Sequence, residues 1–183
     1  EEDIVMGRPL NANDFKSQLE KQYHDKANKL MQFYPISNDS IAVESQKALS
    51  RDQTFGVQGY AWANAQNKSG NSKVYVYNFN RKLPAYTAET AFGAFHSSEI
   101  VYAYNNLHTL NRPWEEIDKT IANQMSTYFS NFIKTGNPNG NGMVNWPFFD
   151  SMEEKIIIFN QKIEAKKLPT KDQLSFITSL LRN

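Results

Sequence analysis

The chain has 183 residues, with 20 lysines and arginines against 19 aspartates and glutamates, and it contains no cysteine. This balanced charge gives no electrostatic basis for binding nucleic acid or an anionic membrane surface. The lack of cysteine excludes disulfides, thiolate metal sites and cysteine nucleophiles. No run approaches the roughly 20 apolar residues that a membrane-spanning helix needs. An aromatic content of 13% is too high for a disordered chain, so we expect a folded domain.

The first predicted element is a helix from about residue 13 to residue 33. Apolar residues recur there at spacings of four and three, which places them on one helical face. Asn11 and Asp14 form a plausible capping pair, and Pro35 marks the end. A second helical region is predicted from about residue 40 to residue 67.

Glycines in this second region indicate a bend or a break near Gly56 and Gly59. The run from Lys73 to Phe79 is short, β-branched and aromatic, and it predicts a strand. A long loop then carries the chain through Pro84 to His96.

A third helix is predicted to open at residues 111–113 and to close at Gly136. The continuous apolar run in residues 155–159 is typical of a strand buried on both faces. A short final helix is predicted from about Thr170 to Leu181. Thr170 is its expected cap, and Gln173 would complete a capping box.

Strands separated by helices favour an α/β fold with parallel pairing. Only two strands are evident, which is too few for a typical sheet, and the strand at residues 155–159 needs neighbours at both edges. The pattern therefore indicates part of a larger sheet or pairing with another chain. In the latter case the protein would be an interaction fragment that oligomerises through exposed strand edges.

Of the three histidines, only one has a context that favours chemistry. His24 is expected on a solvated helix face, and His108 lies in a polar loop. His96 instead follows a predicted strand by a long loop, and long structured loops often carry catalytic residues. Imidazole is the side chain best suited to act as a general base near neutral pH. Three aromatic residues flank His96: Phe92, Phe95 and Tyr102.

Two runs carry a resemblance to a known family. The first reads Ala94-Phe95-His96-Ser97-Ser98-Glu99-Ile100-Val101-Tyr102. The second follows an aromatic-rich helix and reads Thr135-Gly136-Asn137-Pro138-Asn139, then Trp146-Pro147-Phe148. Together they resemble the C-terminal segment of type B carboxylesterases, the family of cholinesterases and para-nitrobenzyl esterases. The resemblance is firm from Phe92 to Asp150 and weak before Lys73.

The resemblance implies an α/β-hydrolase fold, of which this chain would form the C-terminal portion, with few parallel strands and packed helices. Residues 1–183 would then be the C-terminal part of one carboxylesterase domain. Residues 10–68 would form a helical region, and residues 72–183 would hold the last strands, the histidine loop and further helices. The second run has a structural interpretation, because its aromatics pack the helix and its Gly-Asn-Pro-Asn segment turns the chain.

The resemblance also implies a Ser-His-acid triad in which His96 is the general base. Glu99 would hold the loop and a water molecule beside the base. In the family, the triad acid lies far upstream of the histidine. In this chain the same distance, counted back from His96, reaches the N-terminus. The glycine that usually follows the acid is missing here, so the position of the triad acid is not fixed by the motif. Asp3 is the first candidate for the acid, Glu2 is the second, and Glu1 is also open. The residue after the histidine is usually glycine.

In this chain that position is occupied by Ser97, a departure expected to alter the loop backbone. The nucleophile is absent, since no Gly-x-Ser-x-Gly occurs and no two glycines are adjacent. Neither Ser97 nor Ser98 is expected to act as the nucleophile, because neither lies on a strand-to-helix elbow. The alternative to a triad-acid role for the acidic N-terminus is a disordered end, and the alternative for Glu99 is an exposed loop carboxylate.

We therefore expect the C-terminal segment of a serine carboxylesterase that acts on small ester molecules, inactive without the missing N-terminal part of the same domain. No cofactor or metal is expected. The alternative is a non-catalytic, cholinesterase-like adhesion domain. The acidic start of the chain does not resemble the basic opening of a signal peptide, but the compartment stays open, because the family is often secreted or periplasmic.

Overall fold

The computed structural model describes residues 8–181. Within that range the chain forms two compact units. One contains residues 8–62 and 170–181, and the other contains Ala63–Pro169. The first unit is helical, and the second carries the sheet and the histidine loop.

The α-helices in residues 8–181 are α1 (Ala12–Tyr23), α2 (Ala27–Phe33), α3 (Asp39–Arg51), α4 (Val57–Ser69), α5 (Ile100–Ala103), α6 (Glu116–Thr135) and α7 (Lys171–Leu180). The strands in the same range are β1 (Tyr77–Phe79), β2 (Lys155–Phe159) and β3 (Glu164–Lys167). Helix α4 contains the boundary between the two units.

The predicted first helix is interrupted, so the prediction of a continuous helix was wrong. A short 3-10 turn at His24–Lys26 separates α1 from α2, and His24 has a φ of 47°. The apolar face nevertheless continues across the break, with Leu19 and Leu30 buried in one cluster. The predicted cap is confirmed, because Oδ1 of Asn11 accepts a hydrogen bond from the Asp14 amide at 2.9 Å.

A π-helical turn at Asp52–Gly56 joins α3 to α4, so the helical region is irregular near Gly56 as predicted, whereas Gly59 lies inside the uninterrupted helix α4. The turn is anchored by the buried carboxylate of Asp52. The hydroxyl of Tyr34 donates to its Oδ2 at 2.8 Å, and Nε of Arg51 donates to its Oδ1 at 3.0 Å. Burial, with the negative charge of Asp52, raises the pKa of Tyr34 well above its usual value.

The sheet has the order β1-β2-β3. Strand β2 pairs with β1 in parallel, as predicted, and with β3 in antiparallel orientation. Both edges of β2 are therefore paired within the chain, and its residues Ile156, Ile157, Ile158 and Phe159 are buried. Strand β3 was not among the strands predicted from the sequence. The hypothesis of oligomerisation through the edges of β2 loses its basis.

Helix α6 packs its apolar face into the core of the second unit. Its buried side chains lie in one cluster with Ile157 and Phe159 of β2. Trp146 lies in the same cluster, with its ring 5.5 Å from that of Tyr128 and 5.9 Å from that of Phe159. The buried residues of α6 in this cluster are Ile121, Ala122, Met125 and Tyr128.

The ends of the later helices differ in how well they were predicted. Helix α6 begins at Glu116, later than expected, and a capping box between Glu115 and Asp118 forms its start. It ends as predicted at Gly136, which has a φ of 73°. Helix α7 lacks the predicted cap, because Thr170 makes no side-chain capping hydrogen bond.

Candidate functional site

The loop that leads to His96 begins at the carboxyl end of β1. It folds back on itself, because the amide of Leu83 donates to the carbonyl of Gly93 at 3.2 Å. Leu83 lies four residues after Phe79, the last residue of β1, and Gly93 lies three residues before His96. This hydrogen bond closes the base of the loop, so the segment that carries His96 starts on the carboxyl-end side of β1, the side on which open α/β sheets bind their ligands.

His96 lies on an exposed turn that leads directly into α5. The Ser98 amide donates to the Phe95 carbonyl at 3.0 Å, and the Ile100 amide donates to the Ser97 carbonyl at 3.2 Å. Ser97 has a φ of 66°, in the left-handed region that favours glycine. This conformation explains physically why a glycine suits the position after the histidine.

The two residues after Ser97 point into the protein. Ser98 is only 2% exposed, and Glu99 is half-buried. Burial raises the pKa of Tyr77 on β1, and the negative charge of Glu99 raises it further. The carboxylate of Glu99 is therefore close enough to β1 for its charge to act on that phenol.

An arginine supports the entry to the turn. The guanidinium of Arg112 lies 5.6 Å from the centre of the Phe95 ring, and its Nη1 donates to the Pro84 carbonyl at 3.0 Å. The ring of Phe92 contacts Phe95 edge-on at 6.3 Å. Phe95, the residue that precedes His96, is thus held by one cation–π contact and one ring–ring contact.

A buried ion pair lies beyond the turn, and sequence reasoning missed it. Nε of Arg81 donates to Oδ1 of Asp118 at 2.7 Å, and the Tyr102 hydroxyl donates to the same oxygen at 2.8 Å. Arg81 is 4% exposed and Asp118 is fully buried. Their 37-residue separation hides the pair from any local pattern. The only sequence signal is a carboxylate on the buried face of a predicted helix.

The other candidate residues named from the sequence are an acidic group at residues 1–3 and two further histidines. Asp3, Glu2 and Glu1 lie outside the described residues. His24 is in the other unit, and His108 is exposed in a 3-10 turn at Leu107–Thr109.

No group of three or more His, Cys, Asp or Glu side chains in residues 8–181 is arranged to hold a metal ion. No helix there is long and apolar enough to cross a membrane.

Comparison with known proteins identifies the family. The family described as "Carboxylesterase family" matches residues 2–177. Carboxylesterase 1E of Mus musculus is 30% identical over 166 residues, which cover 80% of this chain and 29% of that protein. The medium-chain fatty acyl-CoA hydrolase precursor of Anas platyrhynchos is 29% identical over 144 residues, which cover 73% of this chain and 25% of that protein.

Acetylcholinesterase of Electrophorus electricus is 31% identical over 115 residues, which cover 57% of this chain and 18% of that protein. The chain thus spans between about a quarter and a third of the length of the first two of these relatives. Its helices and small mixed sheet are consistent with part of an α/β-hydrolase fold. The match over residues 2–177 establishes that the chain belongs to the carboxylesterase family.

Proposed function

We propose that this chain supplies the general base of a serine carboxylesterase whose nucleophile lies in a part of the domain outside these 183 residues. The observation that carries the proposal is the position of His96. It lies on an exposed turn at the end of the closed loop that follows β1, in a chain of the carboxylesterase family. The absence of Gly-x-Ser-x-Gly from the sequence supports a nucleophile located elsewhere.

In the proposed reaction His96 moves two protons. It takes the proton of the serine hydroxyl as that oxygen attacks the ester carbonyl, and it returns the proton to the departing alcohol. It then removes a proton from water, which attacks the acyl-serine, and gives that proton to the serine oxygen as the bond to the acyl carbon breaks and the carboxylic acid is released. Asp3, with Glu2 or Glu1 as alternatives, would orient the imidazole and offset its positive charge. Glu99 would hold the turn and a water molecule beside the base.

The test uses the full-length protein, which would include the part of the domain that precedes these 183 residues, and a para-nitrophenyl ester as substrate. His96→Gln should abolish turnover, whereas His108→Gln, a change at another exposed loop histidine, should leave it intact. A fluorophosphonate probe should modify a serine outside the 183 residues. Hydrolysis by His96→Gln at the wild-type rate, or an adduct on Ser97 or Ser98, would overturn the proposal.

The same experiment separates the esterase from the adhesion-type alternative. Wild-type protein that neither hydrolyses ester nor takes up the probe would support a non-catalytic domain. The 183-residue chain alone is expected to be inactive, because it contains no serine on a nucleophile elbow. Asp3→Asn and Glu2→Gln in the longer protein would identify the acid, which should be the one whose change lowers kcat by orders of magnitude.

A further inference from the structure

We propose that Arg81, Tyr102 and Asp118 position the turn that carries His96, acting through helix α5. We call these three residues the Asp118 network. The inference rests on the proposed function of His96, and it assigns a role to three residues that do not themselves touch the reacting atoms. They are positioning residues.

The network is a fully satisfied buried carboxylate. Oδ1 of Asp118 accepts from Nε of Arg81 at 2.7 Å and from the Tyr102 hydroxyl at 2.8 Å. Oδ2 accepts from Nη2 of Arg81 at 3.0 Å and from the Glu115 amide at 2.9 Å. Burial alone would raise the pKa of Asp118, but these hydrogen bonds and the charge of Arg81 hold it below its usual value. The group is therefore an ionised, fixed anchor.

The anchor joins three segments of the second unit. Arg81 follows the carboxyl end of β1, and Asp118 lies in the first turn of α6. Tyr102 lies on α5, six residues after His96. Asp118 therefore connects α5 to the segment that follows β1 and to the start of α6.

Backbone hydrogen bonds transmit this anchoring to the turn. The amides of Tyr102 and Ala103 both donate to the Glu99 carbonyl, at 3.0 Å and 2.8 Å. The Ile100 amide donates to the Ser97 carbonyl, directly after His96. The turn and α5 thus form one hydrogen-bonded segment, so a rotation of α5 would move the imidazole.

Helix α5 needs such an anchor because it has only four residues. A helix this short is not stable by itself, so its orientation depends on tertiary contacts. Its buried side chains are Val101 and Tyr102. Apolar packing is non-directional, whereas the hydrogen bond from Tyr102 to Asp118 requires one distance and one angle. The hydroxyl therefore fixes the rotation of α5 that burial leaves open.

The experiment compares Tyr102→Phe with Tyr128→Phe in the protein encoded with its upstream region. Both tyrosines are buried in the same cluster, and each change removes one hydroxyl. The Tyr128 hydroxyl donates to the Val144 carbonyl, on a different segment. Tyr102→Phe should lower kcat by about tenfold or more with KM little changed, since displacement of a catalytic group by ~1 Å can reduce the rate ~10²-fold. Tyr128→Phe should keep kcat within about twofold of wild type.

A second measurement does not depend on activity. Amide hydrogen exchange of residues 95–103 should become faster in Tyr102→Phe and stay unchanged in Tyr128→Phe. Equal kcat for the two variants, or unchanged exchange in Tyr102→Phe, would overturn the positioning role. If His96→Gln keeps wild-type turnover, the proposed function fails instead, and the exchange measurement still reports whether the network orders the turn. If Tyr102→Phe does not fold, Arg81→Lys, which keeps the buried charge but loses the two-pronged contact, should change kcat and exchange in the same direction.

Discussion

Asn139 pairs with the backbone of Trp146 through both of its side-chain polar atoms. Its Oδ1 accepts from the Trp146 amide at 2.6 Å, and its Nδ2 donates to the Trp146 carbonyl at 2.9 Å. The indole of Trp146 donates in turn to the Val76 carbonyl at 3.1 Å, just before β1. The Asn-Pro-Asn and Trp-Pro runs are therefore two halves of one brace, which joins the end of α6 to the sheet.

Replacing Asn139 with alanine should destabilise the protein by about 1–3 kcal/mol. The change removes the two hydrogen bonds to Trp146 and an exposed one from Nδ2 to Oδ1 of Asn137, and it leaves a part-buried amide and carbonyl of Trp146 without these partners. Urea unfolding followed by tryptophan fluorescence measures the effect. Asn141→Ala, at an exposed position of the same loop, is the control and should change stability little. Equal stabilities of the two variants would show that the brace contributes nothing.

At Ser97, glycine should be more stabilising than alanine by about 1 kcal/mol, because only glycine adopts the observed positive φ without a steric penalty. At Ser130, an exposed position inside α6, the order should reverse by a similar amount, since glycine is disfavoured within helices. Denaturant unfolding of the four variants checks both signs. Alanine more stable than glycine at Ser97 would contradict the strained backbone described here.

Asp118→Asn should change how stability depends on pH. The folded-state pKa of Asp118 is lowered, so its contribution is fully present above the unfolded-state pKa of about 3.9 and is lost as the pH falls through the folded value. At pH 7 the variant should be less stable by about 1–3 kcal/mol, since Arg81 loses its buried counter-charge and keeps only the exposed carboxylate of Glu115 at 2.7 Å. The difference between the two stability curves should begin to shrink as the pH falls below about 4 and should continue to shrink towards the lowered folded-state pKa.

Urea unfolding between pH 7 and pH 2.5 provides this measurement. Asp172→Asn, at an exposed carboxylate of α7, controls for the general loss of one negative charge. A constant difference between wild type and Asp118→Asn across the whole range would mean that the ionisation of Asp118 does not stabilise the fold.

Two glycines of one helical region should respond to alanine with opposite signs. A Cβ on Gly56 would lie 2.8 Å from Cδ2 of Leu174, which is 4% exposed and has little room to move. Gly56→Ala should therefore cost about 1–3 kcal/mol through overpacking. A Cβ on Gly59 meets nothing within 4 Å, so Gly59→Ala should stabilise α4 by about 0.5–1 kcal/mol. Thermal unfolding would reveal the two signs, and a shift in the same direction for both would refute the packing argument.

Sequence reasoning succeeded where one local property determines the structure. Strand β2 coincides with its apolar run because four consecutive buried residues need a strand covered on both faces. Strand β3 was missed because Glu-Ala-Lys-Lys has no strand preference, and only its pairing with β2 makes it a strand. The break at His24 was missed because apolar periodicity continues across it, and a single positive φ leaves no mark in that pattern.

The same distinction applies to the candidate site. His96 was identified by its flanking residues, which are local in sequence. Arg81 and Asp118 were not identified, because their pairing depends on how β1 and α6 pack. A buried pair of this kind can be recognised only when the two segments are seen together. The role of Asp3 or Glu2 stays a prediction, because both residues lie outside the described part of the chain.

The hydrogen bond between Leu83 and Gly93 has a consequence for engineering. Because the loop is closed at its base and Pro84 and Phe92 help to hold the turn, the exposed residues 87–91 between them form a bulge whose length we expect to vary without shifting the start of the histidine turn. The 3-10 segment Ala88–Thr90 lies in this bulge, and its residues are all exposed. A short peptide tag or a spectroscopic label inserted there would report on the neighbourhood of His96 from outside the turn.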